Sequence, residues 1–125
     1  MSGASSDETY ERLCRLCDEP DDRVAALRAL RPEDGTVERQ RTVFAALANE
    51  ARLRLLYALR DGEKCACELQ VVLDAPQSTV ATHLGKLRDA GLVSRRRAGK
   101  WSYYRLADGA VIDLLDYAAL LEGSE

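Results

Sequence analysis

Apolar residues recur at helical spacing through most of the chain. Val43, Phe44, Leu47 and Ala48 form a stripe in a helix beginning near Val37, and Asn49 is placed to cap a second helix over about 50–60, which Asp61-Gly62 ends. A short helix over 65–73 meets the turn Asp74-Ala75-Pro76. Beyond the turn, Val80, Leu84 and Leu87 mark a helix over 77–90 that closes on Gly91. The period then changes from 3.6 to two: residues 92–98 and 101–106 alternate around Gly99-Lys100, which predicts a small β-hairpin, and 111–121 forms a last apolar helix. The opening is polar and acidic, with weaker helical patches over 10–16 and 21–30, the second stopped by Arg31-Pro32. The expected organisation is an arm over 1–35, a body over 36–121 that is mainly α with one small β-hairpin, and a short tail over 122–125.

A short helix, a tight turn and a second helix make a helix-turn-helix, which presents its second helix to the DNA major groove. On that helix Gln77, Ser78, Thr79, Thr82, His83 and Lys86 are polar or cationic groups able to meet base edges and phosphates, while Val80, Leu84 and Leu87 face inward. Arg95, Arg96, Arg97, Lys100 and Arg105 make the hairpin a cationic wing, completing a winged helix-turn-helix. Trp101, Tyr103 and Tyr104 are expected to pack the hairpin rather than stack bases.

The net charge of −3 conceals this arrangement until it is divided along the chain. Residues 78–105 carry seven basic side chains and one acidic, whereas 1–38 carry five and ten, and 106–125 carry none and five. A strongly positive segment between two negative ones makes a local field that attracts phosphate in an otherwise acidic protein. At 125 residues the chain has room for a single core and not for a large multidomain enzyme. The longest apolar run, 43–48, is far short of the roughly 20 residues of a membrane span, and the start lacks a secretory h-region. A cytoplasmic location with no membrane partner is expected. In that compartment four cysteines are metal ligands or redox-active thiols before they are a disulfide framework.

The segments ANEARLRLLYALRDGEKCACEL, STVATHLGKLRDAGLV and GKWSYYRL resemble the ArsR/SmtB family of winged-helix metalloregulatory repressors over residues 37–121. The resemblance implies a homodimer that binds double-stranded operator DNA and releases it when a metal or metalloid binds. It also implies that the first and last core helices pair across the dimer, for which Val111, Ile112, Leu114, Leu115, Ala118 and Leu121 supply the apolar surface; packing within one chain is the alternative.

Cys65-Ala66-Cys67 resembles the metal box of that family, on the helix before the recognition helix. Residues two apart in a regular helix point about 200° apart, so both sulfurs reach one ion only where the helix start is distorted, and Cys65 lies at that start. Arsenite-responsive members with three thiols on this helix have the third where this chain has Gln70. Cys14-Arg15-Leu16-Cys17 instead resembles the arm of cadmium- and lead-sensing CadC-type members, whose arm thiolates join the Cys-x-Cys pair of the other subunit. Four thiolates from Cys14, Cys17, Cys65 and Cys67 favour Cd(II), Pb(II) or Zn(II) as inducer; three suit As(III) or Sb(III). Thiol oxidation or sulfide sensing by the same body is a further alternative.

The zinc site that other members carry on the last helix is dismantled here, with Ala110 where a histidine stands and no histidine over 111–121. No nucleophile-base pair or Gly-rich phosphate loop is present, and Cys14-x-x-Cys17 follows no βαβ pattern, so an enzyme is not expected.

Overall fold

The computed structural model describes residues 6–16 and 18–123. They divide into two compact units, Met1–Val37 and Glu38–Glu125. The first holds α1 (Ser6–Leu16) and α2 (Pro20–Arg28), each with acidic residues in its first turn and an arginine in its last, complementing the helix dipole. The Tyr10 hydroxyl donates a hydrogen bond to the Asp21 carboxylate, tying α1 to α2. That bond holds the phenolic proton and pushes the Tyr10 pKa up to about 12. Cys17 lies outside the described residues.

The body begins with α3 (Thr36–Leu47) and α4 (Glu50–Arg60). Asn49 caps α4 as expected: its backbone is extended and its Oδ1 accepts from the Arg52 N–H at 3.0 Å. Asn49→Ala removes this acceptor and is expected to cost about 1 kcal/mol in a urea unfolding titration. A loss below a few tenths would mean that water replaces the cap fully.

After α4 come β1 (Lys64–Cys65), α5 (Ala66–Leu73), α6 (Gln77–Asp89), β2 (Val93–Ala98), β3 (Trp101–Leu106) and α7 (Ala110–Leu120). Asp74 ends α5 in the left-handed conformation, φ 50°, which aspartate tolerates better than most side chains. The turn then passes to Pro76, the N-cap of α6. Gly99, with φ 61°, is the only positive-φ residue of the two-residue loop between β2 and β3, the type II′ pattern that matches the twist of a hairpin.

The sheet has three strands, ordered β1-β3-β2 and antiparallel, where the sequence pattern predicts two. β1 escapes that pattern because two residues are too few to alternate. It starts the α5 helix one position later than expected, since Cys65 is a sheet residue paired with Tyr103.

Leu55, Leu56 and Leu59 of α4, Leu69 of α5, and Val80, Leu84 and Leu87 of α6 are all 3% exposed or less and form the centre of the core. Val93 and Tyr104 of the sheet close one side and Val111 and Leu115 of α7 another. Fully burying each such leucine is worth about 1.5–3 kcal/mol, and α4 and α5 therefore hold the recognition helix α6 as one body with the sheet. Among the described residues no helix is long and apolar enough to cross a membrane.

Candidate nucleic-acid interface and thiol pair

The buried stripe of α6 fixes what its opposite face presents. With Val80, Leu84 and Leu87 in the core, Gln77, Ser78, Thr79, Thr82 and Lys86 are exposed together. The Thr82 hydroxyl donates to the Ser78 carbonyl at 3.0 Å, within the helix, leaving its acceptor lone pairs outward. The strand period sorts the wing in the same way. Arg95 and Arg97 line a cleft of about 190 Å³ with Gln70, Gln77, Ser102 and Tyr104, on the side of the sheet that meets α6. Lys100 lies at the hairpin tip and Arg105 is exposed on β3.

Arg96, between these two, faces the other way and is occupied. Its Nε and Nη2 donate to Glu63 at 3.2 and 2.7 Å, and its guanidinium lies 4.7 Å from the centre of the Tyr103 ring. The Arg96 hydrogen bonds hold the Glu63 carboxyl below its ordinary range, and the carboxylate raises Arg96 in return. The five wing cations expected at DNA therefore divide: Arg95 and Arg97 line the α6 side and Lys100 the tip, whereas Arg96 anchors the wing to the β1 end and Arg105, exposed two residues after Tyr103, shares that other side, where its charge also helps to lower Glu63. Glu63 and Tyr103 were not singled out as partners from sequence, although the two-residue alternation already separates Arg96 from its neighbours.

His83 is also placed otherwise than expected. It is half-buried, with Nδ1 accepting from Arg52 Nη1 at 3.3 Å. Burial first, then the Arg52 and Lys86 cations, lower its pKa from the ordinary 6.5, so the ring is neutral at pH 7. Its contribution to stability is accordingly complete above pH 6.5 and lost as pH falls through the folded value. Arg52 is a residue sequence reasoning passed over, since nothing in the helical pattern of α4 distinguishes it from Arg54.

Cys65 is the N-cap of α5, with an extended backbone at φ −78° and ψ 160°, and its N–H donates to Glu68 Oε1 at 2.8 Å. This departure from helix geometry brings Cys65 and Cys67 together, with Cα atoms 5.4 Å apart and the sulfurs joined as a disulfide. Cys65 is buried and Cys67 exposed. Cys67 lines a second cleft, of about 260 Å³, with Gln77 at the start of the recognition helix and with Lys100, Trp101 and Ser102 of the wing. Reduced, the pair offers two soft donors on one side of a helix start, which fits two ligands of a thiophilic ion. Cys14 is exposed with a free thiol. Among the described residues no group of three or more His, Cys, Asp or Glu side chains is assembled for a metal.

Of the six α7 residues expected at a dimer interface, Val111 and Leu115 are buried in the core of their own chain and Ile112 and Leu114 are half-buried. Ala118 and Leu121 are exposed, as are Tyr117, Leu120 and, on α3, Phe44.

The sequence profile described as "bacterial regulatory protein, arsR family" matches residues 49–95. The transcriptional repressor SmtB homolog of Synechocystis is 37% identical over 102 residues, 79% of this chain and 77% of that protein. The arsenic resistance transcriptional regulator ArsR1 of Pseudomonas putida is 46% identical over 65 residues, and the chain spans only 51% of its length. The solution structure of a homodimeric winged helix-turn-helix DNA-binding domain from Mycobacterium bovis superposes with a TM-score of 0.64 at 28% identity, covering 96% of this chain and 88% of that one. The match to the Synechocystis protein covers 79% of the chain, and with it the chain belongs to the arsR family of winged helix-turn-helix transcriptional regulators.

Proposed function

We propose that the chain is a homodimeric repressor that grips operator DNA through α6 and the wing and lets go when a thiophilic metal ion is taken up at its cysteines. The observation that carries this reading is the position of Cys67, exposed in a cleft whose other walls are Gln77 of the recognition helix and Lys100 and Trp101 of the wing. Both DNA-facing elements thus border the thiol pair. Gln77, Ser78, Thr79, Thr82 and Lys86 read the major groove, and Arg95, Arg97, Lys100 and Arg105 hold flanking phosphates. The exposed Phe44, Tyr117, Ala118, Leu120 and Leu121 are the surface a second copy covers, a reading supported by the homodimeric state of the Mycobacterium bovis domain.

Cys65 and Cys67 hold the ion together with Cys14 and Cys17 from the arm of the other subunit, a soft donor set suited to Cd(II), Pb(II) or Zn(II). The ion supplies a cross-link between donors, and the state it favours is one whose recognition helices no longer match the operator. Three of these thiols can instead take As(III) or Sb(III), a choice that the arsenic regulator of Pseudomonas putida keeps in view.

The test is fluorescence anisotropy of duplex DNA selected from a randomised pool by the reduced, metal-free protein. Cd(II), Pb(II), Zn(II) or arsenite is expected to weaken binding by about 5–150-fold, the usual range of allosteric coupling. Cys67→Ser should abolish that response, and Cys14→Ser with Cys17→Ser should change which ion is effective. Unchanged affinity at saturating levels of all four would overturn the metal reading. A second reading, release by oxidation, is favoured by the pairing of the Cys65 and Cys67 sulfurs. It requires that a reversible disulfide, followed by mass spectrometry, accompany release without metal.

A further inference from the structure

The junction of α3, α4 and α6 contains a device that the thiol chemistry does not use. The last turn of α3 leaves carbonyls without helical partners. Backbone N–H groups of Ala48 and Asn49 reach those of Phe44 and Leu47 at 3.0 and 2.8 Å. Those of Ala45 and Ala46 are taken by one side chain, Arg52, through Nη2 at 3.3 Å and Nε at 2.6 Å. The same guanidinium extends Nη1 to His83 Nδ1 in the middle of the recognition helix, at 3.3 Å. Arg52 is itself held by its backbone N–H on the Asn49 cap. One planar fork therefore joins the end of α3, the start of α4 and the centre of α6.

We propose that Arg52 and His83 are positioning residues for DNA recognition and form a proton-sensitive latch, closed while the imidazole is neutral and opened when it is protonated. This inference rests on the DNA-binding reading above and is independent of the metal. The chemistry is one-directional. A guanidinium has five donors and no acceptor, so its contact with Nδ1 exists only while that nitrogen carries a lone pair, with the ring proton on Nε2. Protonation places an N–H against an N–H and a cation against a cation. Cations on two of the packed elements reinforce this. Arg52 faces the ring from α4 and Lys86 from the next turn of α6. Asp89 shares the adjoining cleft with Arg52 and Lys86, and α3 lines that cleft with Thr42, Ala45 and Ala46, none of which titrates. Opening the latch removes the hydrogen-bonded tie between α6 and α3, the helix whose exposed Phe44 is assigned above to the dimer contact, and leaves only their shared apolar packing. The spacing of the two recognition helices then loses one of its fixings.

His83 is the only side chain whose ordinary pKa falls between pH 7.5 and 5.5, and its substitution separates its titration from that of the reduced thiols. Operator affinity of the reduced, chelator-treated full chain is expected to fall on acidification over that interval, by about fivefold or more, the low end of ordinary coupling. His83→Gln keeps an oxygen acceptor for Arg52 and cannot titrate; whatever its affinity at pH 7.5, its ratio between the two pH values should approach one. Arg52→Lys keeps the charge and loses the fork, and should weaken binding at pH 7.5 while flattening the profile. Independently of DNA, the NMR titration midpoint of the His83 ring should lie below 6.5 in the parent and move up in Arg52→Gln. Affinity that rises on acidification, a pH response retained by His83→Gln, or a ring midpoint unmoved by Arg52→Gln would each overturn the latch. A chain that binds no duplex at any pH would instead refute the functional reading, with the ring titration still deciding the contact.

Discussion

Leu84→Ala is expected to destabilise the body by about 2–5 kcal/mol, a large part of the roughly 5–15 kcal/mol that holds a typical domain. Leu84 is 1% exposed and belongs to the cluster that joins α4, α5 and α6. Truncation removes the transfer energy of three carbons and leaves a cavity that neighbouring leucines cannot fill without moving α6. Urea unfolding at fixed protein concentration should show a lower midpoint with an unchanged slope. Thr82→Ala, two residues earlier on the exposed face, should stay within about 0.5 kcal/mol of the parent. Near-equal midpoints for the two variants would mean that the recognition helix is not held by this core.

The second large effect concerns the wing. Replacing Arg95, Arg97 and Lys100 together by alanine removes six cations from the proposed dimer and should reduce the slope of log K against log salt by about 5.4, at about 0.9 for each phosphate no longer neutralised. Between 50 and 200 mM salt that changes the salt sensitivity of binding by roughly 1,800-fold. Anisotropy titrations across this range measure it directly. Arg96→Gln is the informative comparison, since its guanidinium is already committed to Glu63 and Tyr103. It should leave the slope nearly intact. Should Arg96→Gln reduce the slope as much as any single open cation, the division of the wing into two faces is wrong.

How much of this was legible in the sequence follows from the range of each interaction. Helices and hairpin were readable because apolar periodicity, Asn49 and Gly99 act over a few residues, and each does in the structure what local chemistry predicts. The winged helix-turn-helix and the exposed set on α6 follow from those elements. The distorted start at Cys65 was also foreseeable, because a regular helix cannot bring Cys65 and Cys67 to one side. What escaped depends on distant partners. Arg52 and His83 are 31 positions apart, and Glu63 and Arg96 are 33 apart, so nothing local reveals either pairing. The mixed fate of α7 has a similar cause: one apolar stripe serves both its own core, through Val111 and Leu115, and an outer face, through Leu120 and Leu121. Periodicity reports that a residue is apolar, not which surface it meets.

Because Cys65 is a rung of the sheet opposite Tyr103 as well as a sulfur donor, the two cysteines are under unequal structural constraint. A different donor at Cys67, exposed in its cleft, carries little structural penalty. At Cys65 the same exchange must also preserve a ladder pairing, a helix cap and a buried volume. Under the metal reading proposed above, changes to the donor set are therefore expected to be tolerated at Cys67 and not at Cys65.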